Sequence, residues 1–179
     1  AWSPVADSIV VVGVKDGRSD LRLVDVKTKA VTRITDDTWD EKEPTWSPDG
    51  RTVTFASDRL HPVVLHPLRH ELGYGAYGIY SLDLASGAVT LHAKVKGRFI
   101  TVVVDTEGDD HAPAWAPDGR KLAFVSDRLG TPDIFLYDTA DSSITQLTEV
   151  LGGVESLSWS RKNDRLVFSA FNHGGYDLF

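Results

Sequence analysis

Apolar residues recur along this chain in short alternating runs, none longer than a strand. "RTVTFAS" (51–57) and "RKLAFVS" (120–126) alternate polar and apolar positions, the period of a strand with one face against a core. Pairs such as Leu21-Arg22, Ile79-Tyr80, Ile134-Phe135 and Leu178-Phe179 mark a second strand in each unit, closed by Asp25, Asp83 and Asp138 in the first three. A third follows in "AVTRIT", "AVTLHA" and "SITQLT". The segments "EPTW", "APAW" and "SLSW" supply a fourth, so each unit reads as a four-stranded antiparallel meander.

Tryptophan sets the register of these units. Trp2, Trp46, Trp115 and Trp159 are separated by 44, 69 and 44 residues, and the phrase "WSPDG" at Trp46 returns as "WAPDG" at Trp115. Proline presets φ at the first central turn position, aspartate suits the second, and Gly50 or Gly119 relieves crowding at the exit. Trp46, Pro48 and Gly50, Trp115, Pro117 and Gly119, and Trp159 are therefore read as turn and wedge residues of a repeat. Asp58-Arg59 and Asp127-Arg128 recur at one offset and are given structural roles too, the aspartate accepting from loop amides and the arginine bracing the adjacent unit.

Four-stranded units at a period of about 40 to 45 residues predict an all-β β-propeller. The expected blades are 1–37, 38–108, 109–152 and an incomplete 153–179. "EPTWSPDGRTVTFASDR" and "APAWAPDGRKLAFVSDRLGTPDIFLYD" resemble the TolB-type, WD-like repeat of bacterial envelope and secreted proteins, which also builds the propellers of prolyl oligopeptidases and tricorn-like proteases. The resemblance covers nearly the whole chain and implies a ring of six or so blades. No methionine is present, and "AWSP" and "YDLF" begin and end inside the repeat. The expectation is a segment of a longer bacterial protein.

Departures from the period point to function. The 69-residue gap contains two insertions, 60–77 in a loop between strands and 95–108 in a loop joining blades, which strand counting places on one face. Candidate partner-binding residues on that face are Arg69, His70, Tyr74 and Tyr77, with the acidic Asp40, Glu41, Asp109 and Asp110 ringing the channel mouth. His61, His66 and His70 are weak candidates for a metal, since "HELGY" lacks the second histidine of a zinc-protease motif. No metal or cofactor is expected.

Composition narrows the classes further. A net charge of -7 disfavours a nucleic-acid partner, and the longest apolar runs are too short for a membrane-crossing helix. With no cysteine, disulfides and thiol chemistry are excluded. No nucleophile elbow, complete zinc-protease motif or phosphate loop is present in the segment. The expected function is a non-catalytic propeller binding a protein or peptide through its insertion-bearing face, with the resemblance placing it in the periplasm or cell envelope. The alternative is a substrate-gating propeller of a multidomain peptidase whose catalytic domain lies outside this segment.

Overall fold

A computed structural model describes residues 1–59, 77–84, 93–95, 98–104 and 108–179. They form four antiparallel sheets, and among the described residues there is no helix. The first sheet holds β1 (Ser8–Lys15), β2 (Arg18–Asp25) and β3 (Val31–Arg33). The second is ordered β4 (Glu41–Trp46), β5 (Thr52–Ser57), β6 (Gly78–Asp83), β8 (Arg98–Val104), β7 (Ala93–Val95). The third runs β9 (Asp110–Trp115), β10 (Lys121–Ser126), β11 (Asp133–Asp138), β12 (Ile144–Gln146), and the fourth β13 (Val154–Trp159), β14 (Leu166–Asn172), β15 (Gly175–Leu178). This is a β-propeller, and every sheet but the second follows chain order as a meander.

The tryptophans sit at one register throughout. Trp46 faces Val53, Trp115 faces Leu122 and Trp159 faces Leu166, while Trp2 makes a single bridge to Ile9. The turn after Trp46 closes with Gly50 N–H on the Ser47 carbonyl at 2.9 Å and Ser47 N–H on that of Thr52 at 3.0 Å. Asp49 accepts from the Ser47 hydroxyl and the Arg51 amide, and Gly50 takes φ 69°, open to glycine at no steric cost. The Trp115 turn repeats the backbone bonds with Gly119 at φ 70°, but Ala116 replaces the hydroxyl of Ser47.

One strand departs from the sequence reading. Residues 95–108 were expected to form a loop between blades, yet 98–104 is β8, which pairs with β6 from Phe99 opposite Asp83 to Val104 opposite Ile79. "RFITVVV" is rich in β-branched residues, which favour a pleated strand. The second sheet thereby has five strands instead of four.

Three apolar seams join neighbouring sheets. Val10 and Leu21 of the first pack with Trp46, Val53, Phe55, Tyr80 and Leu82 of the second. Ala56 and Ile79 meet Leu122, Phe124 and Phe135 of the third, and Ala123, Val125 and Ile134 meet Val154, Leu157 and Trp159 of the fourth. Trp46, Trp115 and Trp159 thus each wedge against the preceding blade, where the indole N–H needs an acceptor. Trp46 Nε1 donates to the Ala1 carbonyl at 3.1 Å and Trp115 Nε1 to Thr54 Oγ1 at 2.9 Å.

Trp159 Nε1 is buried without a partner. Thr54 lies eight residues after its tryptophan, and the same offset in the third blade is Ala123, which has no oxygen to offer. An Ala123→Ser variant restores the acceptor and should gain about 1 kcal/mol, the net worth of a hydrogen bond to a donor otherwise desolvated and unpaired. Urea unfolding of the variant checks this, and a loss of stability would show that the site cannot take one more oxygen.

Candidate functional site

The inner strands β4, β9 and β13 line the channel, and their two ends differ in chemistry. At the end where each strand begins, charged groups are tied into the fold. Asp58 accepts the Asp40 amide at 2.8 Å, and Asp40 accepts both the amide and hydroxyl of Ser19 in the preceding blade at 2.8 Å. Asp127 accepts the Asp109 amide at 2.7 Å, and Asp109 accepts that of Tyr77 in the preceding blade at 2.9 Å. The same aspartate pair clips blade two to blade one and blade three to blade two. In the fourth blade the corresponding residues are Gly153 and Phe171, so the clip is missing.

Arg59 reaches both its own blade and, through Asp37, the preceding 1–37 segment, as the bracing read from the sequence expects, whereas the contacts of Arg128 stay within its own blade. Arg59 Nε donates to Ser57 Oγ at 3.0 Å, its guanidinium pairs with Glu41 and, at 3.3 Å, with Asp37, and it lies over Phe55 and Tyr80. Arg128 repeats this with Ser126, Asp110 at 3.3 Å, Phe124 and Phe135. Register explains it: Glu41 is opposite Ser57 and Asp110 opposite Ser126. An aromatic platform and a facing carboxylate leave the guanidinium one place to sit.

Glu41 and Asp110, expected at the channel mouth, are consequently buried. Burial pushes the Glu41 carboxyl from 4.5 up to about 8, against the opposing pull of Arg59 and the Thr35 hydroxyl, while Asp37 and Asp20 add to the rise. Arg33 pairs with Asp20 and Asp36 beside it. Burial also raises the Asp58 carboxyl. Asp40 and Asp109 are spent on the blade clips described above. Tyr77 is half-buried with the Lys42 ammonium 3.6 Å above its ring, and burial, then Asp58 and Asp40, raise its phenol. Arg69, His70 and Tyr74, and the weak metal candidates His61 and His66, lie outside the described residues. Among the described residues no group of three or more metal-ligating side chains is assembled.

At the other end, around the tryptophan turns, the inner strands enclose a cavity of about 520 Å³. Its walls carry Pro44 and Trp46 of the second blade, Pro113 and Trp115 of the third, and Leu157 and Trp159 of the fourth, with Pro4, Pro48 and Pro117 at the rim. Glu43 brings a carboxylate and Arg161 a guanidinium. Glu43 Oε2 accepts the Ala112 amide at 2.7 Å, and Arg161 reaches over to the Trp2 carbonyl at 2.9 Å, linking the fourth blade to the first. Glu43 and Ala112 hold φ of 53° and 49° beside a bulge in each strand, a conformation that costs non-glycine residues energy and clusters at working sites. Spacing along the sequence could not reveal this cavity, because its lining comes from four segments that meet only when the blades stack.

These blades match known ones. The chain is 31% identical over 115 residues to the Tol-Pal system protein TolB of Hahella chejuensis, covering 58% of the chain and 27% of that protein. A solved structure assigned as TolB from Agrobacterium tumefaciens superposes on 98% of the chain and 54% of its own length, with a TM-score of 0.74 at 24% identity. The chain is a TolB-type β-propeller. A puromycin hydrolase structure also covers 98% of the TolB-type chain and 25% of its own, with a TM-score of 0.66 at 16% identity, which is a likeness of fold alone. No family model matches. The TolB-type segment spans about a third of the length of the first curated relatives it matches. It is a propeller scaffold of the kind found in TolB proteins and in peptidases, and no helix of its described residues is long and apolar enough to cross a membrane.

Proposed function

We propose that this propeller is a non-catalytic binding unit for a protein or peptide, in a periplasmic or otherwise envelope-associated bacterial protein. The channel cavity carries the reading. At about 520 Å³ it is of ligand-binding size, and it combines proline and tryptophan surface with one carboxylate and one guanidinium. Tryptophan offers broad contact area with a polar edge, which suits it to peptide segments. The insertion-bearing face, through Arg69, His70, Tyr74 and Tyr77, is a second contact region in this proposal, resting on sequence. Localisation rests on likeness to TolB proteins.

The peptidase-propeller alternative is favoured by one observation, the superposition of nearly the whole chain on a puromycin hydrolase. In that reading the channel would admit substrate to a catalytic domain elsewhere. A heptapeptide selected on the intact protein from a random displayed library serves as the probe for both. Binding in the cavity should shift the fluorescence of Trp46, Trp115 and Trp159, and Glu43→Lys should weaken a basic peptide about tenfold by turning attraction into repulsion. A protein that binds no peptide, or cleaves it instead of retaining it, sinks the non-catalytic binder.

A further inference from the structure

The three inner strands are the exposed edges of their sheets, and two of them are blunted. Pro44 in β4 and Pro113 in β9 stand two residues before the tryptophan, where they have no N–H to donate. Glu43 and Ala112, just before those prolines, have positive φ and bend the edge. In β13 the same place is Leu157, which keeps its N–H, and Ser156 is not among the residues of positive φ.

The hairpin turns fix which way these groups point. Ser160 N–H donates to Arg165 across the hairpin at 2.9 Å, as Ser47 does to Thr52 and Ala116 to Lys121. Alternation along the strand then turns Ser158 toward β14 and Leu157 and Trp159 toward the channel. Two outward N–H groups at that spacing match the ladder bonds of an added strand, about 7 Å apart. β13 also lines the cavity, followed by Arg161, while Glu43 stands on another wall.

We propose that β13 is the docking edge of the channel and that its occupant is an extended peptide segment, paired to Leu157 and Trp159 through its backbone. The inference rests on the peptide-binding reading and adds the mode of binding. Backbone pairing supplies affinity, and the flanking charges set direction: a carboxylate of the segment lies toward Arg161 and a basic group toward Glu43. Pairing to β4 or β9 is prevented by their prolines, so the segment has one strand to join.

The blades themselves supply the test, since proline already occupies the equivalent place twice. Leu157→Pro should fold, as judged by near-ultraviolet circular dichroism, and should bind the library-selected heptapeptide about tenfold or more weakly, having lost a donor and gained a ring in the way of the added strand. Methylating the peptide nitrogens singly should reveal a position that costs the parent a similar factor and costs Leu157→Pro nothing further. If Leu157→Pro fails to fold, the methylated series on the parent decides alone, and a series without any sensitive nitrogen overturns the proposal. Unchanged affinity in Leu157→Pro together with weakening by Glu43→Lys would overturn edge pairing and leave the channel binder standing. A protein that selects no heptapeptide overturns both.

Discussion

Arg59→Met should destabilise the protein by about 1 kcal/mol more at pH 9 than at pH 5, because only at the higher pH does the parent hold Glu41 ionised against a guanidinium that the variant lacks. Glu41 is 0% exposed and faces Arg59, the Thr35 hydroxyl, Asp37 and Asp20. In the parent its carboxyl is raised by burial to about 8 from an ordinary 4.5. The folded state therefore holds a proton that the unfolded state releases, so this contribution to stability is full below pH 4.5 and is lost as pH rises through about 8. Removing the guanidinium raises the carboxyl further, which widens the gap at high pH and changes little where Glu41 is neutral in both proteins. Urea unfolding at the two pH values measures the difference. Equal losses at pH 5 and pH 9 would mean that Arg59 acts only through its stacking on Phe55 and Tyr80, and Glu41→Gln should flatten the parent's own slope.

This arginine shows where sequence reasoning reaches and where it stops. The repeated tryptophan and turn residues were legible because their work is local: Ser47 to Thr52 close on themselves, and the chemistry of proline, aspartate and glycine dictates the turn. Asp58 and Asp127 were legible as amide acceptors because they return at one offset from the tryptophan, although the amides they accept, those of Asp40 and Asp109, lie 18 residues away. Glu41 and Asp110 were misplaced at the channel mouth because acidic residues in a connecting segment are exposed by default, and what buries them is an arginine 18 residues further on, brought opposite by strand pairing. The second insertion was misread because a broken period looks like a loop, although the β-branched content of 98–104 already argued for a strand. The cavity had no signature in spacing, but one hint was available: prolines two residues before Trp46 and Trp115, absent before Trp159, distinguish one inner edge from the other two.

The second large effect concerns one core position that the repeat presents three times. Phe55, Phe124 and Phe168 stand nine residues after their tryptophans, and each stacks on an aromatic of the next strand or segment: Tyr80 at 6.3 Å, Phe135 at 6.0 Å and Phe179 at 5.5 Å between ring centroids. Local sequence predicts equal losses on truncation to alanine. Packing predicts otherwise, because Phe55 and Phe124 are fully buried and each supports a guanidinium, whereas Phe168 is half-buried and Asn172 stands where an arginine would be. Phe124→Ala should therefore cost about 3–5 kcal/mol, combining lost burial with a cavity the rigid sheets cannot close. Phe168→Ala should cost less than half of that, since part of its ring never leaves water and no charge rests on it. Denaturant unfolding of the two variants under one condition makes the comparison. Equal losses would mean that the face of the fourth sheet is covered in solution to the same depth as the third.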